Sequence, residues 1–169
     1  LRRAAQLEAA ARERRGGERD EQAAAVRHQT TMLMSCRPGG RIALASWTPE
    51  GVLGESFRLI GKYVPPAPGL EPAVAWGSES HLRKLFGTTA QAFRFERKDF
   101  VFRYRSAQHW FNTFIAYYGP TFKAWAALDD AGKESFRSQL VALAEAHNTA
   151  ADGTLTVPSE YLEVVITRR

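Results

Sequence analysis

The feature that most constrains the fold is a short run, Arg41 to Trp47, with apolar residues at both odd and even positions. It follows the turn Pro38-Gly39-Gly40, and Thr48-Pro49-Glu50 ends it. A strand with one face in water alternates apolar and polar residues, whereas a strand covered on both faces does not. The run therefore predicts an interior strand of an α/β sheet.

The composition changes at about residue 36 and predicts two regions. Residues 1–35 are rich in Ala, Arg, Glu and Gln and contain almost no large apolar side chains. Such a segment can form a solvated helix or a disordered tail, but it cannot pack a core. Residues 36–169 have enough apolar and aromatic side chains for one domain, so we expect the fold to lie there.

Helices and one long strand are expected next. Leu53, Phe57, Ile60 and Val64 lie at helical spacing, and Ser78 or Ser80 is placed to cap a short helix that ends in a left-handed Gly87. From Phe93 to Tyr104 the aromatic residues change parity. This change predicts one long strand with a bulge near residues 97–99, or a hairpin there.

Three helices and a final strand complete the pattern. Ser106 begins the first helix, Gly119-Pro120 separates it from the second, and Asp129-Asp130 precedes the third. Apolar alternation from Tyr161 to Thr167 predicts the last strand. The order of strand, helices, strand, three helices and strand predicts a layered α/β fold with too few strands for a full doubly wound sheet.

Composition also narrows the compartment and the partners. Residues 1–35 contain seven Arg against five acids, and the rest contains 16 basic against 13 acidic residues, so no nucleic-acid-binding stripe stands out. Cys36 is the single cysteine, and the four histidines lack metal-ligand spacing. No apolar run is long enough to span a membrane. We expect a cytoplasmic protein with no metal, membrane or nucleic-acid partner.

The segment from Cys36 to Trp47 resembles the region around the fifth strand of class I S-adenosylmethionine-dependent methyltransferases, particularly their type 11 and type 25 groups. In that family a Leu-x-Pro-Gly-Gly-like turn precedes the strand. The part after Gly87 is similar to the sixth strand, and Tyr161 to Arg168 resembles the antiparallel seventh strand, which lies between the other two. The resemblance implies the C-terminal half of a Rossmann-like sheet, with an inserted helical substrate cover at about residues 106–149.

The same resemblance implies a methyl transfer from S-adenosylmethionine to a small-molecule acceptor. Family members bind this cofactor mainly through a glycine-rich loop after the first strand and an acidic residue after the second. No residue here matches either motif, so we expect no cofactor contact from this chain and little activity from it alone. The missing half is explained either by a fragment or by residues 1–35 being read in the wrong frame.

Seven residues are candidates for the acceptor site. Open α/β folds bind ligands at the carboxyl ends of their strands, which places Trp47, Thr48 and Glu50 there unless they only pack the turn. The cover helix would add His109 as a possible base, with Trp110, Tyr117 and Tyr118 as pocket walls or plain core. His81 and His147 are interpreted as structural.

Two other functions remain open. The aromatic helices and the long strand suit a non-enzymatic small-molecule binder. Alternating aromatic and Arg residues from Phe93 to Arg105 would suit a base-stacking surface, although Glu96 and Asp99 interrupt its basic face. A sheet that ends at an uncovered strand also predicts self-association through that edge.

Overall fold

The computed structural model describes residues 31–32, 35–65 and 71–169, so nearly all of the region predicted for residues 1–35 lies outside the described residues. The elements follow the predicted order. They are β1 Arg41–Trp47, α1 Val52–Tyr63, a 3-10 turn Ala73–Gly77, α2 Glu79–Phe86, β2 Ala90–Tyr104, α3 Ala107–Tyr117, α4 Gly119–Ala127, α5 Asp130–Ala146 and β3 Leu155–Arg168.

The three strands form one sheet in the order β1-β3-β2, and β3 runs antiparallel to both neighbours. Val164 at the centre of β3 lies opposite Leu44 of β1 and Phe95 of β2. The α/β class is confirmed, with a three-stranded antiparallel sheet among several helices. The last strand lies between the first two, as the family resemblance implied.

The two faces of the sheet are covered at opposite ends. We call them the Ile166 face and the Val157 face, after two buried residues of β3. On the Ile166 face, α2 and the 3-10 turn cover the end of the sheet where Leu82 and Phe86 are fully buried. On the Val157 face, α1, α3 and α5 cover the other end.

The larger core lies on the Val157 face. Phe111 and Phe136 are fully buried between the helices, and Phe102 of β2 packs against the same cluster from the sheet, with its ring next to Phe114. Burying an aromatic side chain of this size contributes roughly 1.5–3 kcal/mol relative to its exposed state. This core holds α3 and α5 over the first half of β3. On this face, the described helices therefore leave the second half of β3 open.

The long strand β2 is a single element without the predicted bulge at residues 97–99. Its pairing with β3 is continuous from Ala92 to Tyr104, and the irregularity falls between Ala90 and Ala92. The parity of its aromatic residues changes for a different reason. Phe93 and Phe95 pack on the Ile166 face, whereas Phe102 packs on the Val157 face, because β2 passes from one core to the other.

The strand β3 begins at Leu155, six residues before the predicted start at Tyr161. Pro158 disfavours a strand in sequence because it lacks an N–H to donate. Here the Glu160 carbonyl points toward β1 and accepts from Thr48 N, at 3.2 Å. The backbone groups of Pro158 face the same side, but Pro158 lies beyond the end of β1. Its missing N–H therefore breaks no ladder hydrogen bond.

The predicted helix boundaries are confirmed at two caps and corrected at a third. The Ser106 hydroxyl accepts from His109 N at 3.1 Å, and the Asp129 carboxylate accepts from Gly132 N at 2.8 Å. Gly87, however, is right-handed, with φ −57°. A Cβ there would lie 2.5 Å from the Arg83 carbonyl oxygen, so glycine permits a close approach rather than a left-handed cap.

No helix in the described ranges combines the length and the apolar character needed to cross a membrane.

Candidate functional site

Four aromatic side chains meet on the Val157 face where β1 ends. Trp47, the last residue of β1, pairs with Tyr161 of β3, and Phe100 and Phe102 extend the group along β2. We call these four residues the Trp47 cluster. It lies at the carboxyl end of β1, the place that the sequence predicted for substrate contacts.

Trp47 is the centre of this cluster. Its ring centroid lies 6.3 Å from Phe100, 5.7 Å from Phe102 and 6.1 Å from Tyr161. Phe100 and Tyr161 meet the indole at steep angles of 69° and 83°, an edge-to-face arrangement that aromatic pairs prefer. The cluster is therefore ordered by its own ring contacts.

The cluster is continuous with the core on one side and open on the other. Phe102 packs against Phe114 of α3 at 6.2 Å. Phe100, by contrast, is 52% exposed, and Ala43 and Ala45 on the same face of β1 are exposed as well. Among the described residues, this part of the face therefore presents an aromatic ring and exposed alanines.

Thr48 is buried in the turn after β1, with its side chain fully shielded. Its hydroxyl accepts from Gly51 N at 3.2 Å and lies 3.4 Å from the Glu160 carbonyl oxygen. Gly77 packs closely behind the turn. A Cβ at this position would lie 2.0 Å from the Trp47 carbonyl oxygen, so only glycine fits there. These contacts favour the turn-packing role for Thr48. Trp47, which is half-buried against the aromatic core, remains the candidate for ligand contact.

Glu50 lies beside the turn in a charged group. Its carboxylate is 3.9 Å from Arg97, which also makes a 2.7 Å ion pair with Glu160. The Glu50 side chain is 67% exposed, so its pairing contributes little to stability. Arg97 and Glu160 lie on the Ile166 face. Glu50 therefore pairs with a charge on the face opposite the Trp47 cluster.

The three cover-helix aromatics separate into different environments. Trp110 is buried, with its ring 4.5 Å from Phe114, which favours a core role. Tyr118 packs on Phe114 at 5.0 Å and on Phe57 at 6.1 Å. Tyr117 is 87% exposed at the end of α3. Phe114 thus links Trp110 and Tyr118 to the Trp47 cluster through Phe102.

His109 lies in the first turn of α3 and faces Arg105 and Tyr104. Its Nδ1 is 3.4 Å from Arg105 N, its Nε2 is 3.3 Å from the guanidinium, and its ring centroid is 5.6 Å from that of Tyr104. Both ring nitrogens of His109 therefore contact Arg105. His81 and His147 contact Glu71 and Glu55 at 3.3 and 3.5 Å, as structural residues do.

Two tyrosines near the cluster are poor proton acceptors at neutral pH. Burial raises the pKa of Tyr104 above its usual value, and burial raises the pKa of Tyr118 in the same way. Both phenols therefore keep their protons. Next to the cluster, these two side chains therefore provide aromatic walls and protonated phenols.

The described glycines do not form a cofactor loop. Gly39, at φ 73°, precedes β1 and donates to the Arg168 carbonyl oxygen at 2.9 Å, and Gly40 donates to the Arg37 carbonyl oxygen at 2.8 Å. Gly54 is closed against Pro49, whose carbonyl oxygen would be 2.3 Å from an added Cβ. These backbone groups are occupied, so the described glycines do not fit S-adenosylmethionine.

Sequence reasoning placed Trp47 correctly at the strand end but missed Phe100, Phe102 and Tyr161 as its neighbours. The alternation of Phe100 and Phe102 was visible in the sequence. Their distance from Trp47 depends on the register across β3, where Tyr161 lies opposite both Trp47 and Lys98. A single sequence does not contain that register when the paired strands lie about 60–110 residues apart.

Comparison with known proteins finds relatives among mycobacterial proteins, and no family model matches the chain. An uncharacterized protein of Mycobacterium tuberculosis (strain H37Rv) is 35% identical over 113 residues, which is 66% of this chain and 40% of that protein. An uncharacterized protein of Mycobacterium bovis matches equally. A second from Mycobacterium tuberculosis is 34% identical over 111 residues. The chain is thus similar to proteins of which it spans about 40% of the length.

Proposed function

We propose that this chain forms the acceptor side of an S-adenosylmethionine-dependent methyltransferase acting on a small molecule held at the Trp47 cluster. The observation that carries the proposal is the position of the cluster at the carboxyl end of β1. Ligands of open α/β sheets bind at that end of the strands. The order β1-β3-β2, with β3 antiparallel, supports the same proposal.

The bound cofactor would supply an activated methyl group on a sulfonium. The residues of this chain would position the acceptor and exclude water from it, which is the main task of the protein in an in-line displacement. Trp47 and Tyr161 would form the wall against which the acceptor lies, and Phe100 would cover its open side. Aromatic faces also attract a positive charge.

A general base is required only when the acceptor must lose a proton before or during transfer. His109 points toward Arg105, and the phenols of Tyr104 and Tyr118 stay protonated. These positions favour an acceptor atom that is already nucleophilic at neutral pH. His109 keeps a place in the proposal only as a residue that orients Tyr104.

The first experiment concerns the coding sequence upstream of residue 36. We expect one reading frame to encode a strand, a glycine-rich loop and a helix. We call the product in which this segment precedes residues 36–169 the joined protein, and we expect it to bind S-adenosylmethionine in a calorimetric titration. Residues 36–169 without this segment serve as the control, and they should show no saturable binding. The absence of such a loop in all frames, together with no binding by the joined protein, would contradict the proposal.

A non-enzymatic binding protein is the second candidate, and the raised pKa values of the Tyr104 and Tyr118 phenols, which keep these groups protonated, favour it. The discriminating measurement is whether the joined protein forms S-adenosylhomocysteine. Stoichiometric binding of a small molecule without any such product would favour the binder.

A further inference from the structure

An open cavity of about 280 Å³ lies at the end of the sheet where β1 begins. All three strands line it, through Arg41, Ala92, Phe93, Arg94, Val165 and Thr167. Thr167 lies six residues along β3 from Tyr161 of the Trp47 cluster, which is about 20 Å at the rise of a strand. The described chain before β1 approaches from the other face of the sheet, where Met32 packs beside Leu82 and its neighbours. The cavity is therefore separate from the site proposed for the acceptor.

The strand register explains the shape of this cavity. On the Val157 face, Arg41 lies opposite Thr167, and Ala92 lies opposite Thr167 on its other side. In the next row, Ala43 and Arg94 flank β3 in the reverse order. The two arginines thus lie diagonally across β3, and the two alanines, which are both exposed, lie on the other diagonal. Small side chains at those corners leave an open space that both arginines line.

The cavity is positively charged. Among the residues that the structure describes, Arg41 makes no ion pair, and Arg94 is 71% exposed with a Glu163 oxygen 3.9 Å away. Lys98 lies closer to Glu163, at 3.0 Å, and donates a hydrogen bond to it. At 3.9 Å the contact of Arg94 is longer than a hydrogen bond, so both guanidinium groups keep donors for a ligand. An anion would gain two positive partners here, whereas a cation would be repelled.

A phosphate group fits these donors better than a carboxylate does. A guanidinium presents its N–H groups as a planar fork that matches two oxygens of one anion. Two forks that come from opposite sides of β3 need oxygens on both sides of the anion. A phosphate monoester has three terminal oxygens in a tetrahedral arrangement, whereas a carboxylate has two oxygens in one plane. The Thr167 hydroxyl is a further donor, and Val165 offers an apolar surface to the carbon part of a ligand.

We infer that the cavity between Arg41 and Arg94 binds the phosphate group of a small organic phosphate monoester. The inference concerns a site outside the Trp47 cluster, and it does not depend on methyl transfer.

The test is an NMR titration of the whole chain with phenyl phosphate at constant ionic strength. The backbone amide signals of Val165 and Thr167 report on the cavity, and the signal of Val157, which is buried near the other end of β3, is the reference. Benzoate and benzyl alcohol carry the same ring on a carboxylate and on an uncharged group. We expect phenyl phosphate to shift the two cavity signals saturably, benzoate to bind with a Kd at least about fivefold higher, and benzyl alcohol to cause no saturable shift.

Charge-matched variants separate the cavity from positive charge in general. Arg41→Gln and Arg94→Gln should each raise the Kd for phenyl phosphate about tenfold, because each removes charge-assisted hydrogen bonds. Arg103→Gln removes an exposed arginine from the other end of β2 and should leave the Kd unchanged. The dispersion of the amide spectrum shows whether a variant is folded. If Arg41→Gln fails to fold, Arg41→Lys takes its place, and the loss of the planar fork should raise the Kd about threefold.

The inference is overturned if phenyl phosphate causes no saturable shift, if benzoate binds with an equal Kd, or if Arg103→Gln raises the Kd as much as Arg41→Gln does. Because a lipid headgroup carries the same phosphate chemistry, the chain is also mixed with phosphatidylcholine vesicles that contain phosphatidic acid. Sedimentation with these vesicles, together with no response to phenyl phosphate, would assign the cavity to a lipid headgroup and overturn the soluble ligand.

Discussion

At the residue scale, glycine positions set how closely the turn after β1 can pack. Gly77 lies against the backbone of Trp47 and Thr48, where an added Cβ would lie 2.0 Å from the Trp47 carbonyl oxygen and 2.8 Å from the Thr48 Cα. Backbone atoms at such distances cannot move aside independently of the strand. The position of Trp47 therefore depends on a residue 30 positions away in sequence, which contributes no side chain.

We predict that Gly77→Ala destabilises the protein by about 1–3 kcal/mol, because the methyl group overpacks the turn. Gly119→Ala is the matched control, since nothing lies within 4 Å of a Cβ there. Urea unfolding followed by fluorescence measures both. Equal stability of the two variants would show that the turn is not closely packed.

A second residue-scale prediction concerns Asp152, in the turn before β3. Its side chain accepts hydrogen bonds from the Thr154 hydroxyl at 2.6 Å and from Thr154 N at 3.0 Å, and these bonds hold the pKa of Asp152 below 3.8. The stabilisation is present above the unfolded pKa and is lost as the pH falls through the folded pKa. Because Asp152 is exposed, the effect on stability is small.

The pKa itself is the better measurement. An NMR titration of the Asp152 carboxyl should give a value below 3.8 in the wild type and a higher value in Thr154→Val, which loses the side-chain donor. Thr156→Val controls for substituting a nearby threonine. If Thr154→Val leaves the pKa of Asp152 unchanged, the Thr154 hydroxyl is not its partner.

At the element scale, the sequence predicted the order and kind of the elements well and their lengths less well. The strand at Arg41–Trp47 and the caps at Ser106 and Asp129 were predictable because they depend on local patterns. The early start of β3 was missed because Pro158 is tolerated only beyond the end of β1. Where β1 ends relative to Pro158 depends on strand pairing, which one sequence does not show. The parity change in β2 was misinterpreted as a bulge because one sequence does not show that two cores lie on opposite faces.

The cap at Asp129 provides a test at this scale. Asp129→Ala removes the side chain that accepts from Gly132 N, so α5 should lose about 1 kcal/mol. Asp130→Ala removes the same charge from the next residue, which is fully exposed and 4.0 Å from Lys133. It should cost less than half as much, since exposed pairs contribute little.

Urea denaturation midpoints of the two aspartate variants, compared at one pH, give this difference. A larger loss for Asp130→Ala would mean that charge, and not the hydrogen bond, stabilises the start of α5.

At the scale of the whole molecule, the open end of the Val157 face is the feature that links fold and function. The cluster could be located from the sequence only as far as Trp47, because its other members come from β2 and β3. The same openness leaves β1 at the edge of the described sheet, with apolar residues on both faces. Such an edge favours pairing with further strands.

We predict that the 169-residue chain associates through β1. Ala45→Lys, which places a charge on the open face of this edge, should lower the average mass measured by light scattering after size exclusion. Ala127→Lys, at an exposed site on α4, should not. A monomeric wild-type chain would contradict this prediction.

The central claim is that the Trp47 cluster holds a methyl acceptor, and its most direct test is steady-state kinetics of the joined protein with Trp47→Ala. We expect kcat/KM for the acceptor to fall by about tenfold or more, as when a buried aromatic contact of about 1.4 kcal/mol or more is lost, while the Kd for S-adenosylmethionine stays the same. An equal loss of affinity for S-adenosylmethionine, or unchanged use of the acceptor, would contradict it.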